Sequence, residues 1–186
     1  NQRMSFYKFR HILFQKYLYN SLDAVECAHL HQQVGNTLQT LYGKETEEIA
    51  VQLANHFQKA GTNLKAADYL SKAGDRASEM VAHEDAIEHY QEAMASYEQA
   101  LGDQWEPLQR AALERKIGES FYRRGEHIEA MRHFERAMVY LGMPLPDSQW
   151  GIRRAILKGV LLQLSHRILP RLFVKPMVGY AAPKIE

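Results

Sequence analysis

Cysteine is almost missing from this chain of 186 residues: Cys27 stands alone, so no disulfide can form within it. A reducing, cytoplasmic compartment is the expectation that fits. Proline (6) and glycine (11) are sparse and fall mostly between stretches of helical period. No sign of charge dominates: 23 Lys and Arg against 22 Asp and Glu leave +1, which gives no argument for nucleic acid as a partner. No N-terminal stretch joins a basic flank, an apolar run and a small-residue cleavage site. The chain opens on Asn1 without an initiator Met, and is read as a processed chain or a piece of a longer one. Catalytic motifs are missing too. There is no Gly-x4-Gly-Lys-Ser/Thr phosphate loop, no Gly-x-Ser-x-Gly, and no sequence context that would make Cys27 a nucleophile. Nine histidines invite a metal reading, yet none has the four-residue helical spacing of a zinc pair. His29 and His31 are two apart, while His83 and His89, and His127 and His133, are six apart. Ordinary surface or interface histidines are expected, with no metal and no cofactor.

What is present is helical period, with 46% hydrophobic residues to build a core. The expected fold is all-α. A short strand-like start at Phe6–Phe9 leads into helices over about 11–20, 22–41, 47–60, 64–80, 83–101, 108–124 and 126–141. Breakers sit between them: Gly43, Gly61-Thr62-Asn63, Gly102-Asp103, Gly125 and the run Gly142 to Asp147. Pro107 sits where a first-turn proline is tolerated. From Glu47 onward the links are short, which forces neighbouring helices to lie antiparallel.

Within those helices a small-large-small pattern recurs. It reads Ala66, Leu70, Ala73, then Ala86, Tyr90, Ala93, then Ala130, Phe134, Ala137. Spacings of four and then three keep all three positions on one helix face. The alanines allow close approach, and the large residue fills the groove between helices. Preceding helices carry a complementary half: Leu53, Ala54 and Phe57 with Gly61 before Ala66, Ile117, Gly118 and Phe121 with Gly125 before Ala130, and Leu70, Ala73, Gly74 and Ala77 before Ala86. The pattern resembles the tetratricopeptide repeat, most closely over 111–141 and more loosely over 47–100. The resemblance implies a right-handed solenoid of antiparallel helix pairs. The chain departs from it in three ways. Glu114 stands at the early tryptophan position, the expected proline is displaced to Pro144, and helix 64–80 carries signatures of both halves. The alternative is an ordinary α-bundle with alanine-rich seams.

The block from Phe9 to Leu22 adds a second resemblance. Phe9, Arg10, His11, Leu13, Gln15, Tyr19, Ser21 and Leu22, followed by Leu30-His31, look like a segment of large bacterial signalling ATPases. In those proteins an ATPase domain precedes a winged-helix-like segment and then tetratricopeptide repeats, often beside a class III nucleotide cyclase. The resemblance covers about 6–142. It implies that 1–22 is the tail of the winged-helix-like segment, 23–148 the repeats, and any ATPase or cyclase domain lies outside this chain. It also implies a nucleotide-sensing role for Arg10 and His11 in the parent protein. The alternative is that His11 caps the helix or packs on the strand-like start.

Residues 149–186 differ again. Seven Lys and Arg and no acid occupy 149–185. A helix from Gly151 to Leu169 carries Leu157, Leu161, Leu164 and Ile168 as an apolar stripe, with Arg154 and Lys158 at its edge. Such a basic amphipathic helix suits an anionic membrane surface or a partner groove, but its cations make it a poor spanning helix. The alternative is the next helix of the array, with a homodimer formed through it if it is left bare.

Charged middle-helix faces, such as Glu84, Asp85, Glu88, Lys65 and Lys72, read as solvated surface. Asn55, Lys59, Lys116 and Arg123 do not reproduce the carboxylate clamp of some tetratricopeptide proteins. The sequence is therefore read as a non-catalytic interaction and regulatory module. Its partner would be a protein or peptide, or an adjacent domain of the same protein. A free-standing adaptor and a membrane-surface module are the alternatives.

Overall fold

In the computed structural model, residues 11–146 and 148–168 are described, except for the side chains of 149, 152, 155 and 162–168. Eight α-helices account for most of them: α1 (Ile12–Ser21), α2 (Ala24–Tyr42), α3 (Ala50–Lys59), α4 (Asn63–Glu79), α5 (His83–Leu101), α6 (Pro107–Arg123), α7 (His127–Tyr140) and α8 (Gln149–Ile168). No strand occurs among the described residues, and the strand-like start at 6–9 lies outside them. The chain divides into two compact units, Asn1–Met143 and Pro144–Glu186.

Local chemistry sets the helix ends. Asp23 and Glu26 form a capping box: the Glu26 N–H donates to Asp23 Oδ1 at 2.7 Å, and the Asp23 N–H to Glu26 Oε2 at 3.0 Å. That reciprocal pair satisfies two otherwise unpartnered donors and starts α2 at Ala24 rather than at Leu22. The helix expected over 47–60 begins as a 3₁₀ segment, Gly43–Ile49. Ile49 leaves the helical region (φ −115°, ψ 21°), so α3 proper starts at Ala50.

Three turns are built alike. After α3, α4 and α6 the chain passes through 60–62, 80–82 and 124–126. In each, the N–H of the last turn residue reaches back five residues: Thr62 to Phe57 O, Ala82 to Ala77 O and Glu126 to Phe121 O, at 2.9, 2.9 and 3.0 Å. The middle residue is left-handed, with φ of 72° at Gly61, 64° at Val81 and 86° at Gly125. This closure uses up carbonyls that a helix end leaves unpaired. The next helices then start from one backbone geometry, with φ/ψ of −90°/65° at Thr62, −83°/67° at Ala82 and −87°/66° at Glu126. Four residues on, Ala66, Ala86 and Ala130 are buried against the preceding helix.

From α2 to α7 each helix packs chiefly on its neighbours in sequence. The core runs through Leu53, Phe57, Leu70, Tyr90 and Ile117, with Phe57 and Tyr69 stacked at 5.7 Å. Burying an aromatic such as Phe57 completely contributes about 1.5–3 kcal/mol. At two crossings glycine allows a close approach of a neighbouring ring. A Cβ on Gly74 would lie 2.5 Å from the Tyr90 ring, and one on Gly118 would lie 2.8 Å from the Phe134 ring.

Candidate functional site

The repeat-signature residues are structural. Leu53, Phe57, Ala66, Leu70, Ala73, Ala86, Tyr90, Ala93, Ile117, Gly118, Ala130 and Ala137 are buried, Phe121 and Phe134 are half-buried, and Gly61 and Gly125 sit in exposed turns. They bring α3–α7 together and leave the chemistry to the faces between them.

One such face is a groove between α4 and α6, floored by α5. Leu64, Asp68 and Ser71 line it from α4, and Gln109, Ala112, Leu113 and Lys116 from α6, with Tyr97 and Trp105 below. Its volume is about 330 Å³. The spacing is helical: 64, 68 and 71 share one face of α4, and 109, 112, 113 and 116 one face of α6. Hydrogen bonds fix the floor and one end. Tyr97 donates to Asp68 Oδ1 at 2.5 Å. Lys116 Nζ reaches Asp75 Oδ1 and Oδ2 at 2.6 and 2.8 Å, and Tyr90 donates to the same Oδ1 at 2.7 Å. Burial, followed by the facing carboxylates, pushes both tyrosine hydroxyls far up from their ordinary value, so each stays a donor. Trp105 is stacked on Tyr97 at 5.2 Å and covered by the Arg110 guanidinium at 4.7 Å. It is 4% exposed, and its indole N–H has no partner.

A second cleft, of about 410 Å³, lies between α2 and α3 and is lined by His31, Glu48, Gln52, Asn55, His56 and Lys59, with Ile49 and Val51. His31 Nδ1 and His56 Nδ1 are 2.9 Å apart, and Tyr19 of α1 reaches His31 Nε2 at 2.9 Å. Burial and then the Lys59 charge lower the His31 pKa; burial, His31 and Lys59 lower that of His56. Reading histidine spacing along one helix could not find this pair, because its members are 25 residues apart on different helices.

A third polar cluster is wholly internal. Glu114, standing where the repeat pattern has tryptophan, meets His133 Nδ1 at 2.6 Å, and His133 stacks on Phe121 at 5.3 Å. Both are buried. The pair ties α6 to α7.

Of the two residues that the resemblance assigns to nucleotide sensing, Arg10 lies outside the described residues. His11 precedes α1, makes no capping bond and packs against Phe14 at 6.1 Å. On α8, Arg154, Leu157, Lys158 and Leu161 line one shallow face. The side chains of Leu164 and Ile168 lie outside the described set. Helical spacing also sets Arg153 within the apolar arc of Trp150, Ile156, Leu157 and Val160, so the stripe is less continuous than the residues at 157, 161, 164 and 168 suggest. No helix among the described residues is long and apolar enough to cross a membrane. Nor do three His, Cys, Asp or Glu side chains gather there as a metal site would need. Compared with known proteins, the chain matches no family model, no curated protein and no solved structure.

Proposed function

We propose that this chain is a tetratricopeptide-like array of antiparallel helix pairs that serves as a non-catalytic interaction and regulatory module. Its place is within a larger ATPase- or cyclase-type signalling protein, as the block at 9–22 suggests. The observation that carries the interaction role is the α4–α6 groove. Its walls are two parallel rows of side chains, and its floor holds two aromatics, Tyr97 and Trp105, with the Tyr97 hydroxyl fixed on Asp68. Such a slot suits an extended peptide, whose backbone groups meet polar wall residues while apolar side chains rest on Tyr97, Leu113 and Trp105. The like geometry of the three turns and the sequential packing of α2–α7 support the repeat architecture.

Selection of displayed random peptides on the protein tests this reading. Enriched peptides should lose binding with Ser71→Trp and Ala112→Trp, which fill the groove, and keep it with Arg115→Ala, outside it. Peptides indifferent to both groove variants would overturn it.

A further inference from the structure

We propose that the cleft between α2 and α3 is a binding site for an oxyanion of the phosphate type. Its lining holds donors in excess. Lys59 has no carboxylate within ion-pair distance among the described residues, and the Asn55 and Gln52 amides stand beside it. The two imidazoles complete the set. At 2.9 Å between Nδ1 atoms, His31 and His56 share one proton. When Tyr19 donates to His31 Nε2, that proton sits on His31 Nδ1, and the N–H of His56 moves to Nε2, where it is free for a ligand.

The groups that face the pair are Tyr19 from α1, Glu48 from the 3₁₀ segment and Lys59 from α3. Glu48 offsets the Lys59 charge, so a site with neutral histidines is nearly neutral. A dianion is then held best when a proton joins the imidazoles, which turns one neutral donor into a charged one. The site is thus proton-coupled: anion binding raises the histidine pKa values, and affinity rises as pH falls through their titration. Ile49 and Val51 add an apolar edge that an organic phosphate ester would cover and the free ion would not.

The test is titration of the 186-residue chain with sulfate, which stays dianionic across this pH range, while His31 and His56 are followed by nitrogen-15 NMR. Both should titrate at higher pH in sulfate than in sodium chloride of equal ionic strength. Lys59→Ala and His56→Gln should each weaken sulfate binding about tenfold or more. Inorganic phosphate and phosphoserine form the second arm: tighter phosphoserine assigns the site to an ester, tighter phosphate to the free ion. Equal shifts in chloride, or sulfate binding that survives both substitutions, would overturn the proposal.

Discussion

A single methyl group added at Gly118 or Gly74 probes how the hairpins close. Alanine in a helix interior gains about 1 kcal/mol over glycine, so on propensity alone both substitutions should stabilise. Sterics oppose that gain. At Gly118 the new Cβ would meet the Phe134 ring at 2.8 and 2.9 Å and the Ala130 carbonyl at 3.2 Å. At Gly74 it would meet two Tyr90 ring atoms at 2.5 Å. Overpacking of this kind costs about 1–3 kcal/mol. Phe134 is half-buried and has room to yield, which leaves a net loss of about 1 kcal/mol for Gly118→Ala. Tyr90 is pinned by its hydroxyl bond to Asp75, so Gly74→Ala should lose about 2 kcal/mol. Urea unfolding reads this directly, and a slope of about 2 kcal/mol per molar puts the Gly118→Ala midpoint about 0.5 M lower. The α3–α4 hairpin already holds Ala54 and Leu70 at the equivalent positions. Phe134→Leu should therefore restore much of the loss in Gly118→Ala, giving a coupled pair rather than two additive losses. An unchanged or raised midpoint for Gly118→Ala would refute the close-contact account.

Three further outcomes follow from named residues. Val81 holds the left-handed position that glycine fills in the other two hairpin turns, and it is 71% exposed. Val81→Gly should stabilise by about 0.5–1 kcal/mol, the left-handed cost less glycine's extra freedom in the unfolded chain; a lower urea midpoint would count against that. His133→Leu leaves Glu114 buried without a partner and should lose about 3 kcal/mol, whereas adding Glu114→Leu should recover most of it. Equal losses for the single and double variants in urea would show that the pair does not act as a unit. For His31 and His56, a folded pKa below 6.5 means that the unfolded state binds more protons in the window under 6.5. Stability should therefore fall as pH drops from 6.5 towards the folded values, and His31→Gln with His56→Gln should flatten that slope in pH-dependent urea curves.

Helix positions were legible because the small-large-small pattern encodes them directly: α5 falls at His83–Leu101, as its period indicates. The break at 80–82 is instructive. It has no glycine or proline, yet it repeats the backbone of the glycine turns with Val81 in the left-handed region. Loss of apolar period marks such a break, and turn chemistry does not. The functional faces were much less legible. Asp68, Tyr97, Trp105 and Lys116 meet across three helices and the link before α6, and no local spacing relates them. The His31–His56 contact fails the one-helix test for the same reason. Lys72 reads as solvated surface and is exposed, although its ammonium lies over the Tyr69 ring at 5.1 Å.

The two signatures carried by α4 connect the sequence pattern to the location of the groove. As a second helix it turns Ala66, Leu70 and Ala73 into the core; as a first helix it offers Gly74 to Tyr90. Two packed faces on one 17-residue helix leave the rest of α4 outside the core, and of that remainder Leu64, Asp68 and Ser71 line the slot. Because α5 is closed down on Gly74, α4 and α6 stand on either side of it, near enough for Lys116 to reach Asp75. A side chain at Gly74 would lift α5 and widen that span, breaking the Lys116–Asp75 bridge that closes one end of the slot. Peptide affinity in the groove and the stability of the α4–α5 hairpin should therefore fall together in Gly74→Ala. In Gly118→Ala stability should fall alone, because its clash lies on the α7 side of α6, away from the slot.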